Sequence, residues 1–155
     1  MKKILVIIFV FCLIFLTACH QKNKTEFVFQ DSQGQNIRFS TLKGKWIFIH
    51  YWATWCHTCL EELPVLNQFY ANTKNTNIII FGVNYDDLPN SQLMTDIKKL
   101  QIQFPVLLGN PNTVLKLTDV TAVPTTFVIN PTGKLVKTLL GPQTLASLNH
   151  AMKNN

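Results

Sequence analysis

Residues 46–52 read Trp46-Ile47-Phe48-Ile49-His50-Tyr51-Trp52, an apolar and aromatic run with no carboxylate, lysine, arginine, glycine or proline in it. Such a run fits a central strand covered on both faces, where a half-exposed strand would alternate apolar with polar residues. Ala53, Thr54 and Trp55 follow, and Cys56-His57-Thr58-Cys59 then stands where the strand should give way to a helix. Positions i and i+3 share a helix face, so Cys56 and Cys59 come close enough to form a disulfide within one turn and to release it again. At a helix start, free N–H groups and the positive end of the dipole favour the thiolate, the form that attacks disulfides. This points to redox chemistry. The competing reading is a structural or metal-binding pair, but zinc takes four ligands and the folded part of the chain has no second cysteine pair.

A chain of 155 residues suits one domain with a sizeable core. Part of its 47% hydrophobic content is not fold, because Lys2 and Lys3 precede an apolar stretch at 4–16 that is short for a bilayer span and ordered like a signal peptide. Leu16-Thr17-Ala18-Cys19 then resembles a bacterial lipobox, in which Cys19 becomes the lipid-modified first residue. An uncleaved anchor helix and a plain secretory signal are the alternatives. The lipoprotein reading divides the chain into a signal peptide (1–18), a polar tether (19–25) and a folded domain (26–155). It also sorts the cysteines: Cys12 leaves with the signal, Cys19 carries lipid, and Cys56 and Cys59 remain as a pair. The net charge of +6 falls by two with Lys2 and Lys3, and Lys98-Lys99 is the only adjacent basic pair outside the signal. No nucleic-acid partner is expected, and attraction to anionic headgroups is weak.

After the tether, 26–30 and 36–40 alternate polar with apolar residues around Asp31-Ser32-Gln33-Gly34-Gln35, which predicts a hairpin that caps the sheet. A helix is expected from about His57 to about Thr73, with Leu60, Leu63, Leu66, Asn67 and Tyr70 at helical period and Pro64 kinking it. Residues 77–85 predict a second buried strand, and 91–100 an amphipathic helix capped by Asn90 or Ser91. A strand at 104–108 and a helix at 112–117 follow. Strands at 125–130 and 135–140 around Pro131-Thr132-Gly133-Lys134 predict an antiparallel hairpin, with a closing helix at 143–153 after Gly141-Pro142.

Three pieces of this chain together resemble the thioredoxin superfamily, and within it the membrane-tethered TlpA-like and ResA-like branch. They are Trp52-Ala53-Thr54-Trp55-Cys56-x-x-Cys59, Glu62-Leu63-Pro64, and Val123-Pro124-Thr125-Thr126-Phe127. The resemblance implies an α/β thioredoxin-like fold, a central mixed β-sheet flanked by helices, with the N-terminal hairpin and a TlpA-type central insertion at 91–108. Cys56, nearer the helix start, is then the nucleophile and Cys59 the resolving thiol. Pro124 matches the superfamily's cis-proline, which exposes the backbone at Val123 for pairing with substrate. Ala122 departs from the glycine that relatives often carry two residues before that proline.

Glu62 matches an acid that the ResA-like branch places near its cysteines, where it could hold or relay the proton of Cys59; Glu61 reads as solvated. His50 stands where thioredoxin has a buried aspartate, and a neutral, hydrogen-bonded structural histidine is favoured there over a proton carrier. His57 and Thr58 fill the dipeptide that tunes redox poise, and the sign of a His57 effect stays open because the helix terminus opposes an imidazolium. Trp52 reads as core and Trp55 as rim, a possible platform for a substrate peptide.

The resemblance therefore implies a lipid-anchored thiol-disulfide oxidoreductase of the bacterial cell envelope, outside the cytoplasm. It would act as a monomer on client proteins carrying disulfides or thiols, reduce them, and draw on a membrane-bound electron donor, with apocytochrome c a candidate client. No cofactor beyond the Cys56–Cys59 disulfide and no metal are expected. The rivals are a disulfide-forming oxidant of the same fold and a copper or zinc chaperone using the two cysteines as ligands.

Overall fold

The computed structural model describes residues 26–153; the segments expected to be a signal peptide (1–18) and a tether (19–25), Cys19 included, lie outside the described residues. Four strands form the main sheet: β3 (Trp46–Trp52), β4 (Ile78–Asn84), β5 (Thr125–Ile129) and β6 (Leu135–Leu140). Two short strands, β1 (Phe29–Gln30) and β2 (Asn36–Ile37), precede them as a separate antiparallel hairpin. The main order is β4-β3-β5-β6, with β3 parallel to β4 and antiparallel to β5, so the sheet is mixed. The helices are α1 (His57–Thr73), α2 (Asn90–Lys99), α3 (Asn112–Leu115) and α4 (Leu145–Ala151).

The apolar run at 46–52 forms the buried strand it predicts. Alternation puts Ile47, Ile49 and Tyr51 on one face, where they share a core with Phe81 and Phe127, the neighbours of Ile49 on β4 and β5, and with Phe29 and Leu107. Phe48, His50 and Trp52 take the other face, beneath α1, α2 and α4, in the layer that holds Leu63, Leu66, Phe69, Ile97 and Leu148. The Phe48 and Phe69 rings meet edge to face with centroids 5.0 Å apart. Full burial of side chains the size of Phe48 and Trp52 stabilises the fold by about 2–3 kcal/mol each. α1 lies on this layer and runs on through Pro64, which has no N–H for the Leu60 carbonyl.

The predicted strand at 104–108 does not form. Pro105 has no N–H to give a ladder, and the segment instead makes a single parallel bridge between Val106 and Gly82. Gly82 N–H donates to the Pro105 carbonyl at 2.9 Å and Leu107 N–H to the Gly82 carbonyl at 2.9 Å. On its other side the segment holds the hairpin, through Ser32 N–H to the Val106 carbonyl at 2.7 Å and Leu108 N–H to the Gln30 carbonyl at 2.8 Å. The segment thus stitches the hairpin to the edge of the sheet. Gly82 fits tightly against its neighbours, since a Cβ there would lie 3.0 Å from the Phe104 ring and 3.1 Å from Val106.

Three helix boundaries also differ from expectation. α2 starts at Asn90 behind Pro89, and neither Asn90 nor Ser91 caps it with a side chain. α3 stops at Leu115 because Lys116 turns left-handed, φ +54°. α4 begins at Leu145, where Thr144 and Ser147 exchange side-chain bonds with each other's backbone N–H in a capping box, so Gln143 belongs to the approach.

Candidate active site

Cys56 is the N-cap of α1, in extended conformation, and its sulfur accepts the Cys59 N–H at 3.2 Å. Serine or aspartate oxygens usually fill this role; here the group facing the free amides and the dipole is a sulfur, which favours its thiolate once the bond is reduced. Thr58 Oγ1 lies 3.6 Å from the same atom. Cys56 and Cys59 are joined as a disulfide. Cys56 keeps 6% of its surface exposed and Cys59 none, an asymmetry that leaves Cys56 as the sulfur a client can reach.

The other wall is the 122–125 turn. The Val123–Pro124 peptide is cis, as the resemblance implies, and the Val123 carbonyl oxygen lies 3.6 Å from Cys56 Sγ. Thr125 Oγ1 donates to the Ala122 carbonyl at 2.7 Å, and Gly141 N–H, just past β6, donates to the Pro124 carbonyl at 2.9 Å.

Behind Cys59, Glu62 is buried at one turn's remove on α1. Its Oε1 accepts the backbone N–H of Gln143 at 2.9 Å, while Oε2 has no partner among the described residues. Burial raises its carboxyl from 4.5 to about 7, against the opposing effect of the Gln143 bond. It therefore titrates near neutrality, the range in which a carboxyl can both accept and return a thiol proton. Glu61, beside it, is exposed and pairs with His57 Nε2 at 3.2 Å. The His57 side chain is itself largely exposed, on the surface of α1.

His50 is fully buried on the α1 side of β3, and its Nδ1 is 2.9 Å from Thr126 Oγ1, the residue opposite it on β5. Burial alone lowers its pKa from 6.5 to about 3, so it is neutral at any working pH. Trp52 is core and Trp55 is rim, 64% exposed, with its indole N–H on the Asp86 carboxylate at 3.0 Å and its ring edge to face with Tyr85. Leu140, 73% exposed, stands beyond Thr125 on the opposite side of the cis-proline turn.

The structure brings Cys56, Cys59, Thr58, Val123, Pro124 and Glu62 to one end of the sheet; His57, exposed, is engaged with Glu61. Sequence reasoning missed Gln143, which is 81 residues from Glu62 and has no motif, and it missed the Asp86 partner of Trp55. Among the described residues no group of three or more histidine, cysteine or carboxylate side chains could hold a metal ion, and no helix is long and apolar enough to cross a membrane.

A CxxC disulfide capping a helix, faced by a cis-proline turn on a mixed four-stranded sheet, defines the thioredoxin-like class. Within it, the chain belongs to the AhpC/TSA family, whose pattern matches residues 20–138. It is 36% identical over 126 residues to the thiol-disulfide oxidoreductase ResA of Bacillus subtilis (strain 168), covering 81% of this chain and 70% of that one. The crystal structure of StoA from Bacillus subtilis superimposes with a TM-score of 0.67 at 29% identity, covering 81% of this chain and 94% of that one. The exposed lipoprotein thioredoxin Etrx1 of Streptococcus pneumoniae strain TIGR4 gives 0.71 at 26% identity, covering 83% and 98%. The chain is thus a thiol-disulfide oxidoreductase, and Cys56 and Cys59 are its redox pair.

Proposed function

We propose that this enzyme is a lipid-anchored reductant of protein disulfides, held outside the cytoplasm by acyl chains on Cys19. It works as a monomer and is re-reduced by a membrane-bound donor, with apocytochrome c among its clients. The single observation that carries the direction is the placement of Glu62: a buried carboxyl one turn from a fully buried Cys59. Oxidants of this fold owe their power to a strongly stabilised thiolate. Here the carboxyl lies on the resolving side, and His57, the residue next to Cys56, is paired with Glu61.

In the reduced enzyme the Cys56 thiolate, held by the amides at the start of α1, attacks one sulfur of a client disulfide. The client's other sulfur leaves as a thiolate and a mixed disulfide forms. Glu62 as carboxylate then takes the proton of Cys59, whose thiolate attacks Cys56 Sγ. The client's second sulfur is released, the Cys56–Cys59 bond forms, and two electrons have passed to the client. Two protons end on the client thiols, the one from Cys59 by way of Glu62 and the other from solvent. The client segment pairs with the backbone at Val123 beside Pro124, and Trp55 offers its exposed ring to apolar side chains.

A Cys59→Ser variant incubated with envelope proteins should accumulate mixed disulfides through Cys56 that dithiothreitol releases, while Cys56→Ser should trap none. Equal trapping by both variants would overturn the roles assigned to the two sulfurs.

A further inference from the structure

The contacts around the disulfide close into a ring that passes through a residue no motif singles out. Cys56 Sγ faces the Val123 carbonyl at 3.6 Å, and the Pro124 carbonyl accepts Gly141 N–H at 2.9 Å. Gln143 Nε2 donates back to the Gly141 carbonyl at 2.9 Å and, more weakly, to the Leu140 carbonyl at 3.4 Å. Gln143 Oε1 accepts Ser147 Oγ at 2.9 Å, which ties it to the first turn of α4. With its side chain held at both ends, Gln143 presents its backbone N–H to Glu62 Oε1 at 2.9 Å, and Glu62 returns the ring to Cys59 along α1.

We propose that Gln143 is a positioning residue for the redox step: its side chain locks the turn between β6 and α4, so that its backbone N–H fixes the Glu62 carboxyl beside Cys59 and joins it to the cis-proline turn. The proposal rests on the role given to Glu62 above. A backbone N–H on a carboxylate stabilises the charged form, so the lock decides how readily Glu62 gives up its proton. A client that displaces the 122–125 turn pulls on the same lock through Gly141. The titratable groups in this layer are Cys59 on α1, the neutral His50 on β3, Lys137 opposite Val128 on the same face of β6 as Leu139, and the exposed His150 on α4.

The chain has three glutamates, Glu26, Glu61 and Glu62, so carboxyl-13C glutamate labelling gives a spectrum that can be assigned by substitution. In the oxidised protein, Gln143→Ala should raise the Glu62 midpoint by about one pH unit, the scale of weakening a hydrogen bond to a charged group. Ser147→Ala, which removes the Oε1 anchor and the Ser147 half of the capping box but leaves the Nε2 bonds of Gln143, should raise it by less and keeps the test available if Gln143→Ala folds poorly. Asn67→Ala is the structural control, because Asn67, also on α1, bonds the backbone of Gln101 and Gln103, which take no part in this ring. It should lower stability and leave the midpoint alone. The pH profile of insulin-disulfide reduction should shift with the midpoint in Gln143→Ala, and in a Glu62→Gln background the same substitution should shift nothing. An unchanged midpoint in both Gln143→Ala and Ser147→Ala would overturn the assignment of Gln143. A Glu62→Gln enzyme with the parent's pH profile would overturn the role of Glu62 instead, whatever the Gln143 midpoints show.

Discussion

Glu62→Gln should change how stability depends on pH, and by an amount the structure sets. The Glu62 side chain is buried with one oxygen on Gln143 N–H and the other unpartnered, and its carboxyl is pushed up from 4.5 to about 7. A folded value above the unfolded one means that the folded state binds the proton more tightly. The resulting stability is fully present below about 4.5 and is lost as pH rises through about 7. The difference is worth about 3 kcal/mol. Glu62→Gln keeps an acceptor for Gln143 but cannot ionise, so its stability relative to the parent should grow by about 3 kcal/mol between about pH 4.5 and 8. The absolute offset also contains a buried amide NH2, so the pH-dependent part is the diagnostic one.

His50 acts in the opposite sense, since its folded value lies below 6.5: the stability it contributes is present above 6.5 and is lost as pH falls toward about 3. It is common to both proteins and cancels in their difference. Urea unfolding of the two oxidised proteins across this range is the assay. Parallel stability curves would refute the claim that Glu62 is ionised at the cost of burial.

Two further outcomes are expected. Gly82→Ala should destabilise the domain by about 1–3 kcal/mol, because the added methyl meets Phe104, Val106 and the Trp52 indole; thermal unfolding checks it, and a midpoint equal to the parent's would contradict the packing described. Mature protein isolated from membranes should begin at an acylated Cys19, and Cys19→Ala should move to the soluble fraction; mass spectrometry showing an unmodified N-terminus elsewhere would remove the anchor.

Much of the site was legible because its parts are local. The strand at 46–52, the cap at Cys56 and the turn of helix to Cys59 are set by neighbouring residues, and an apolar run feeding a cysteine pair can do little else. Pro124 was legible only by resemblance, since a proline in a single sequence carries no mark of its isomer. The segment 104–108 was misread because Phe104, Val106, Leu107 and Leu108 have strand composition, while the missing donor at Pro105 limits it to two isolated bridges, one to Gly82 and one to Asp31. Asn90 and Ser91 were misread as caps because both have the right chemistry, but the preceding Pro89 already occupies the N-cap position. His57 could not be assigned from sequence, as its partner choice between Cys56 and Glu61 depends on side-chain direction. Gln143 was beyond sequence reasoning, because a backbone N–H that meets Glu62 across the fold leaves no trace in residue type.

Whether this enzyme reduces or oxidises its clients is read most directly from the equilibrium of the Cys56–Cys59 pair against a glutathione buffer. With Glu62 on the resolving side and His57 held by Glu61, the reduced form gains the helix-start stabilisation of its Cys56 thiolate, with the Thr58 hydroxyl 3.6 Å away. The potential should fall near the thioredoxin value of about −270 mV. A value near the about −120 mV of DsbA, roughly five decades away in equilibrium constant, would contradict the assignment as a reductant.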